Sequence, residues 1–156
     1  MTARVADLSL GADLSLGPAD PDDRRVARSA TGALRELNAA GLLDPADVHV
    51  ATRLGRLGNE RDEDVLLGVA VAVRAVRGGS TCVDLRTVHD LDPELGWPSP
   101  DRWLGAVAAS PLVAAGVLRL EGSLLYLARY WQEETQVVRD LVARQAAALP
   151  PIDRDV

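Results

Sequence analysis

Lysine and phenylalanine are missing from this sequence, and cysteine occurs once. Without lysine, no Gly-x-x-x-x-Gly-Lys-Ser/Thr loop can set an ammonium group on the terminal phosphates of a nucleotide. Schiff-base catalysis through lysine is excluded as well. The lone Cys82 allows neither an internal disulfide nor a zinc site built on cysteines. Without phenylalanine, the core must be Leu, Val and Ala, with Trp97, Trp103, Trp131, Tyr126 and Tyr130 as its large pieces. The N-terminus lacks a basic region followed by an apolar core, and no apolar run is long enough to cross a bilayer. Together with the cysteine usage, these points indicate a cytoplasmic protein with no membrane contact. All 17 basic residues are arginine, which favours planar, bidentate contacts with carboxylate or phosphate. GC-rich coding produces the same bias. The net charge of -6 argues against a nucleic-acid grip spread over the whole surface and leaves a local basic patch open.

What is present is organised around residues 62–79. Three carboxylates open this stretch, two glycines close it, and Arg74 and Arg77 stand near its end, as a helix dipole favours. Residues 65–73 are apolar on every side, so this helix must be wrapped by other elements. At 156 residues the chain fits one domain with a sizeable core. Residues 20–149 are read as that domain, residues 1–19 as a mobile tail and residues 150–156 as a C-terminal tail. The first tail holds a tandem repeat, Ala-Asp-Leu-Ser-Leu-Gly twice over residues 6–17. That is too few copies for a stacked fold, and a docking peptide is the sharper alternative.

Two helices precede the central one. Asp20-Pro21 starts the first, with Val26, Ala30, Leu34 and Leu37 on one face. Asp44-Pro45-Ala46-Asp47 starts the second, with Leu43 and Val48 spaced as a hydrophobic staple. Its buried face is Val48, Ala51, Leu54 and Leu57, and Gly58-Asn59 closes it. After Gly78-Gly79, residues 80–85 suit a short buried strand that includes Cys82. Residues 90–98 read as an acidic loop. Ser99-Pro100-Asp101 caps a helix with Trp103, Leu104, Val107 and Ala108 on one face, which Ser110-Pro111 stops. Residues 117–120 and 124–127 flank Glu121-Gly122-Ser123 as a hairpin. A last helix places Val138, Leu141, Val142 and Ala146 on one side. The predicted fold class is α+β and mainly α-helical: a helical bundle around a buried central helix, with a winged-helix-like short strand and β-hairpin.

Residues that could do chemistry are sparse. His49 and His89 are forty residues apart with no glutamate at helical metal spacing, so both read as ordinary histidines and no metal site is expected. His89-Asp90-Leu91-Asp92 lacks the glycine turn and spacing of a calcium loop. The turns at residues 55–58 and 78–81 read as helix ends rather than phosphate cradles. Glu133 and Glu134 suit the start of a helix better than acid–base chemistry. No catalytic residue and no cofactor are expected. The cluster Tyr126, Arg129, Tyr130 and Trp131 carries the most weight, because aromatics beside arginine anchor protein interfaces. Core packing is the competing reading for Tyr126 and Trp131.

At this cluster the sequence resembles a known family. Leu125-Tyr126-Leu127-Ala128-Arg129-Tyr130-Trp131, after Ala109-Ser110-Pro111-Leu112-Val113, is similar to the N-terminal domain of RecD, a subunit of exodeoxyribonuclease V, the RecBCD helicase–nuclease. Gly41-Leu42-Leu43-Asp44, the helix with Asp47-Val48-His49, and Thr81-Cys82-Val83-Asp84-Leu85 fit the same domain. Ser80-Thr81 depart from it, since a Gly-His pair often precedes the strand cysteine in the family. The resemblance implies a non-catalytic docking module that seats RecD on a RecC-like subunit. It also implies a parent that unwinds DNA from the 5′ end with ATP in double-strand break repair, and contact with DNA only through that complex. The family's phosphate loop and helicase motifs have no counterpart in these residues. A reading of another class is a winged-helix DNA-binding regulator, using Arg102, Arg119 and Arg129.

Overall fold

The structure is a computed structural model that describes residues 26–146, Ser29 excepted. Its elements are α1 (Gly32–Ala39), α2 (Pro45–Gly58), α3 (Glu63–Arg77), β1 (Cys82–Asp84), α4 (Pro100–Ala108), α5 (Pro111–Ala114), β2 (Leu118–Glu121), β3 (Leu124–Leu127) and α6 (Ala128–Ala146). A 3-10 turn, Val88–Leu91, follows β1. The fold is mainly helical with one small antiparallel sheet, as the sequence patterns predict.

Helix α3 is the hub. Its N-cap Asp62 accepts hydrogen bonds from the backbone N–H of Asp64 and Val65, and Glu63 and Asp64 fill the acidic first turn. Val65, Leu67, Gly68, Val69, Ala70, Val71 and Ala72 are all buried. Helices α1, α2 and α4 and the sheet pack around it. Gly68 allows a close approach. A Cβ there would lie 3.2 Å from Leu125 Cδ2 and 3.4 Å from Trp103 Nε1, so the central helix, hairpin and α4 meet at a residue without a side chain. Trp103 is buried, stacks on Trp97 with ring centroids 5.9 Å apart, and donates from Nε1 to the Asp64 carbonyl at 2.7 Å.

Helix α2 follows its start signal. Asp44 and Asp47 form a capping box with Pro45 in the first turn, and the staple residues Leu43 and Val48 are both buried. Asn59, at φ 53°, ends it. Asp47 is wholly buried, and its carboxylate accepts from Asp44 N–H at 2.9 Å and from Arg77 Nη2 at 2.9 Å. The Asp47 hydrogen bond holds the Arg77 guanidinium above its usual pKa, against the opposing effect of desolvation. Leu57, expected on the buried face, is instead 72% exposed. It lies on the same side as Arg53 and Val50, which are exposed too, and this side of α2 faces outward.

Other departures have local causes. The Asp20-Pro21 start signal and both predicted tails lie outside the described residues. Within them, helix α1 begins only at Gly32, because Thr31 is extended and Gly32 has φ +51°. Ala27, Ala30, Leu34 and Leu37 are nevertheless buried together. Ser110-Pro111 ends α4 and also starts α5, with Ser110 Oγ accepting from Leu112 N–H. That serine donates to the buried carboxylate of Glu60 at 2.5 Å, and Glu60 also accepts from the N–H groups of Arg61 and Asp62. One acid thereby joins the starts of α3 and α5. Ala108, assigned to the packed face of α4, is exposed.

The sheet has the order β1-β3-β2. Its register sets Val83, Leu125 and Leu120 in one row and Cys82, Tyr126 and Arg119 in the next. Alternation puts the two rows on opposite faces. The first row faces α3 and the second lies under the start of α6.

Candidate functional site

Strand β3 runs directly into α6, which places the aromatic–arginine cluster at a strand-to-helix corner. The corner is fixed by Ala128 N–H donating to the Val117 carbonyl at 3.0 Å. Tyr126 is 8% exposed and packs between Cys82 and Arg119 in register. Burial, followed by a hydrogen bond with Cys82 and the nearby charge of Glu134, pushes its phenol up to about 12. Trp131 is half-buried, with the Arg119 guanidinium 4.6 Å from its ring centroid. Thr81 Oγ1 donates to Glu134 at 3.4 Å, closing the contact between β1 and α6. Tyr130 is half-buried, and Arg129 is exposed and paired with Glu133 one turn along. Of the four predicted contact residues, Tyr126 is therefore an internal support. Trp131 is held beneath Arg119, and Tyr130 and Arg129 face outward at least in part.

Helix α6 outruns the sheet it starts on. Its packing partners are β2 and β3, and none of its residues is buried. Residues 130, 134, 137, 138, 141 and 142 share one side of the helix at i, i+4, i+7/8 and i+11/12. The first two lie over or beside the sheet. Val137, Val138, Leu141 and Val142 continue the same side past the sheet and are each 54–58% exposed. The sequence pattern places Val138, Leu141 and Val142 on one side of the helix, and so they are. No other described element packs beneath the second half of the helix. Four large aliphatic side chains in a row mark a place where something else packs.

Other candidates are not drawn together. His49 is exposed on α2, and His89 is exposed beside Asp90 at 3.3 Å. Among the described residues, no group of three or more His, Cys, Asp or Glu side chains could hold a metal ion. Cys82, expected to be buried, is half-buried because β1 is an edge strand and opens onto a cleft of about 520 Å³. The three arginines of the winged-helix reading are already engaged. Arg102 pairs with Asp64 at 2.9 Å, Arg119 with Glu121, and Arg129 with Glu133 at 2.9 Å. With Glu121 beside the hairpin turn, this face does not offer phosphate a row of free cations. Among the described residues, no helix is long and apolar enough to cross a membrane.

Comparison with known proteins gives the family. The family model described as RecBCD enzyme subunit RecD, N-terminal domain, matches residues 39–126. The RecBCD enzyme subunit RecD of Mycolicibacterium smegmatis is 56% identical over 122 residues, which take in 74% of this chain and 22% of that protein. The RecBCD enzyme subunit RecD of Mycobacterium tuberculosis (strain H37Rv) is 52% identical over 143 residues, 85% of this chain and 24% of that protein. The chain thus spans about a quarter of the length of these relatives. No solved structure matches.

Proposed function

The chain belongs to the RecD N-terminal domain family, and on that footing we propose that it is a docking domain, seated on a RecC-like subunit of a RecBCD-type complex and doing no chemistry itself. Any ATP-dependent 5′–3′ unwinding of DNA in double-strand break repair belongs, in this reading, to other parts of a RecD-like protein. The site of action is the cytoplasm. The observation that carries the reading is the aliphatic ridge of α6, Val137, Val138, Leu141 and Val142, continuous with Tyr130 and Trp131. An amphipathic helix anchored at one end and bare at the other suits a groove on a partner, with anchors at i, i+4 and i+7/8. Tyr126 and Trp131 hold the helix at its root, while Tyr130 and Arg129 extend the contact surface toward the body of the domain.

The test is binding of the 156-residue chain to the RecC subunit of the Mycolicibacterium smegmatis complex by calorimetry. Val138→Asp with Leu141→Asp should weaken binding about tenfold or more. The melting transition should stay where it is, because neither side chain is buried. Tyr130→Ala should also weaken binding more than folding. Unchanged affinity in the double variant would remove α6 as the docking element.

A further inference from the structure

The cleft beside β1 has the features of a strand-addition site. Among the described residues, β1 is hydrogen-bonded on one side only, to β3. Leu85 N–H donates to the Ser123 carbonyl at 3.0 Å. The antiparallel alternation then makes Val83 and Leu125 the next bonded pair, and turns the backbone of Cys82 and Asp84 outward. The Asp84 carbonyl takes Thr87 N–H at 3.2 Å. This leaves the Cys82 N–H and C=O and the Asp84 N–H facing the outer edge. Along that edge runs the cleft of about 520 Å³, with Ala75, Val83, Val88 and Leu91 in its lining and Arg74 at its rim. Arg74 spends its Nε on the Leu42 carbonyl at 2.9 Å, with no carboxylate partner among the described residues. An edge strand beside a part-apolar cleft fits an extended peptide whose apolar residues alternate.

One segment of this chain has that pattern twice, and the docking function does not use it. Residues 6–17 read Ala-Asp-Leu-Ser-Leu-Gly in tandem, with leucines two apart and an aspartate before each pair. The N-terminal approach to the fold also lies at this corner. Ala27 N–H donates to Asn38 Oδ1 at 2.7 Å, and Asn38 Nδ2 donates to the Leu43 carbonyl at 2.7 Å. The neighbouring Leu42 carbonyl is the one held by Arg74. Residues 18–25 separate the repeat from this point, and eight residues reach up to about 28 Å when extended. We propose that one copy of the repeat adds to the edge of β1 as a further strand, with its leucines, all on one face of the strand, over the apolar lining. Two copies give two chances of the same pairing, and a tether this short supplies an effective concentration on the order of millimolar.

Cys82, the only cysteine, reports on the edge directly. The experiment compares Cys82 thiol reactivity toward a disulfide reagent in the full chain and in the quadruple variant Leu8→Ser, Leu10→Ser, Leu14→Ser, Leu16→Ser. The unsubstituted chain should react about fivefold more slowly, as expected if a millimolar tether holds a weakly binding strand in place most of the time. The amide protons of Cys82 and Asp84 should exchange more slowly in parallel. A synthetic peptide of residues 6–17 added to the variant should restore both effects. Equal thiol rates in the two chains would overturn the proposal. Slow thiol reaction without amide protection would overturn strand pairing. Protection that grows with protein concentration would assign the edge to a second copy and overturn the intramolecular reading.

Discussion

Asp47 and Arg77 should respond unequally to loss of their pair. Asp47 is completely buried, whereas the Arg77 side chain is 47% exposed and holds a second carboxylate, Asp44, at 2.8 Å. Removing the guanidinium strands a carboxylate in the interior, where breaking one side of a buried pair costs roughly 3–5 kcal/mol. Backbone N–H of Asp44 still caps that carboxylate, so Arg77→Gln should fall at the low end, about 3 kcal/mol. Asp47→Asn leaves the capping acceptor in place and a cation that can turn to water and to Asp44. It forfeits the charge-assisted hydrogen bonds, which are worth about 1.5–3 kcal/mol before discounting for the exposed partner, so about 1.5 kcal/mol is expected. Urea unfolding followed by helical ellipticity would give both values from the transition midpoints, provided the slopes agree. The reasoning is refuted if Asp47→Asn proves as costly as Arg77→Gln, because the cost would then lie in the helix cap and not in a stranded charge.

Two further outcomes follow from the core and the sheet. Trp103→Phe should destabilise by about 2–3 kcal/mol, from the lost bond to the Asp64 carbonyl and the space left behind Trp97. Equilibrium unfolding by tyrosine and far-ultraviolet signals would check this, since the change removes a tryptophan probe. Tyr126 predicts an alkaline transition. Its phenol is raised in the folded state from 10.0 to about 12, so the folded chain keeps its proton where the unfolded chain has lost it. That contribution is complete below pH 10 and is lost as pH rises toward 12. With no lysine titrating in this window, Tyr126→Phe should flatten the fall in melting temperature between those limits. An unaltered fall would place its cause elsewhere.

The parts of the fold that can be read in the sequence are those where local chemistry and packing agree. The capping box at Asp44 and Asp47, the acids and arginines at the two ends of α3, and Gly122 with φ +62° in the hairpin each satisfy a local need that the tertiary structure keeps. The failures occur where a local signal has two meanings. Ser110-Pro111 is a stop for one helix and an N-cap for the next, and a single sequence cannot separate the two when the second helix is one turn long. The expected helix, running unbroken from residue 26 into α1, is interrupted at Thr31-Gly32, a boundary set by the backbone angles of Gly32 and marked by no start signal. Glu60 carries no motif at all. Its role between α3 and α5 depends on Ser110, fifty residues away.

The candidate site divides along the same line. Periodicity shows that Val137, Val138, Leu141 and Val142 share a side of α6, and it carries no information about what lies opposite. A face that is apolar in the sequence is assigned to the core by default, and that default holds only if the domain supplies a second surface. Here the sheet is three strands wide and its strands are three or four residues long. At about 3.3 Å per residue they cover little more than 13 Å, whereas α6, at 19 residues and 1.5 Å each, extends roughly 28 Å. The second half of the helix therefore overhangs as a matter of dimensions, whatever its side chains. A polar overhang would be an ordinary solvated helix end. An aliphatic one is consistent only with a surface supplied from outside the described residues, so variants on the ridge separate binding from folding where variants at Tyr126 cannot.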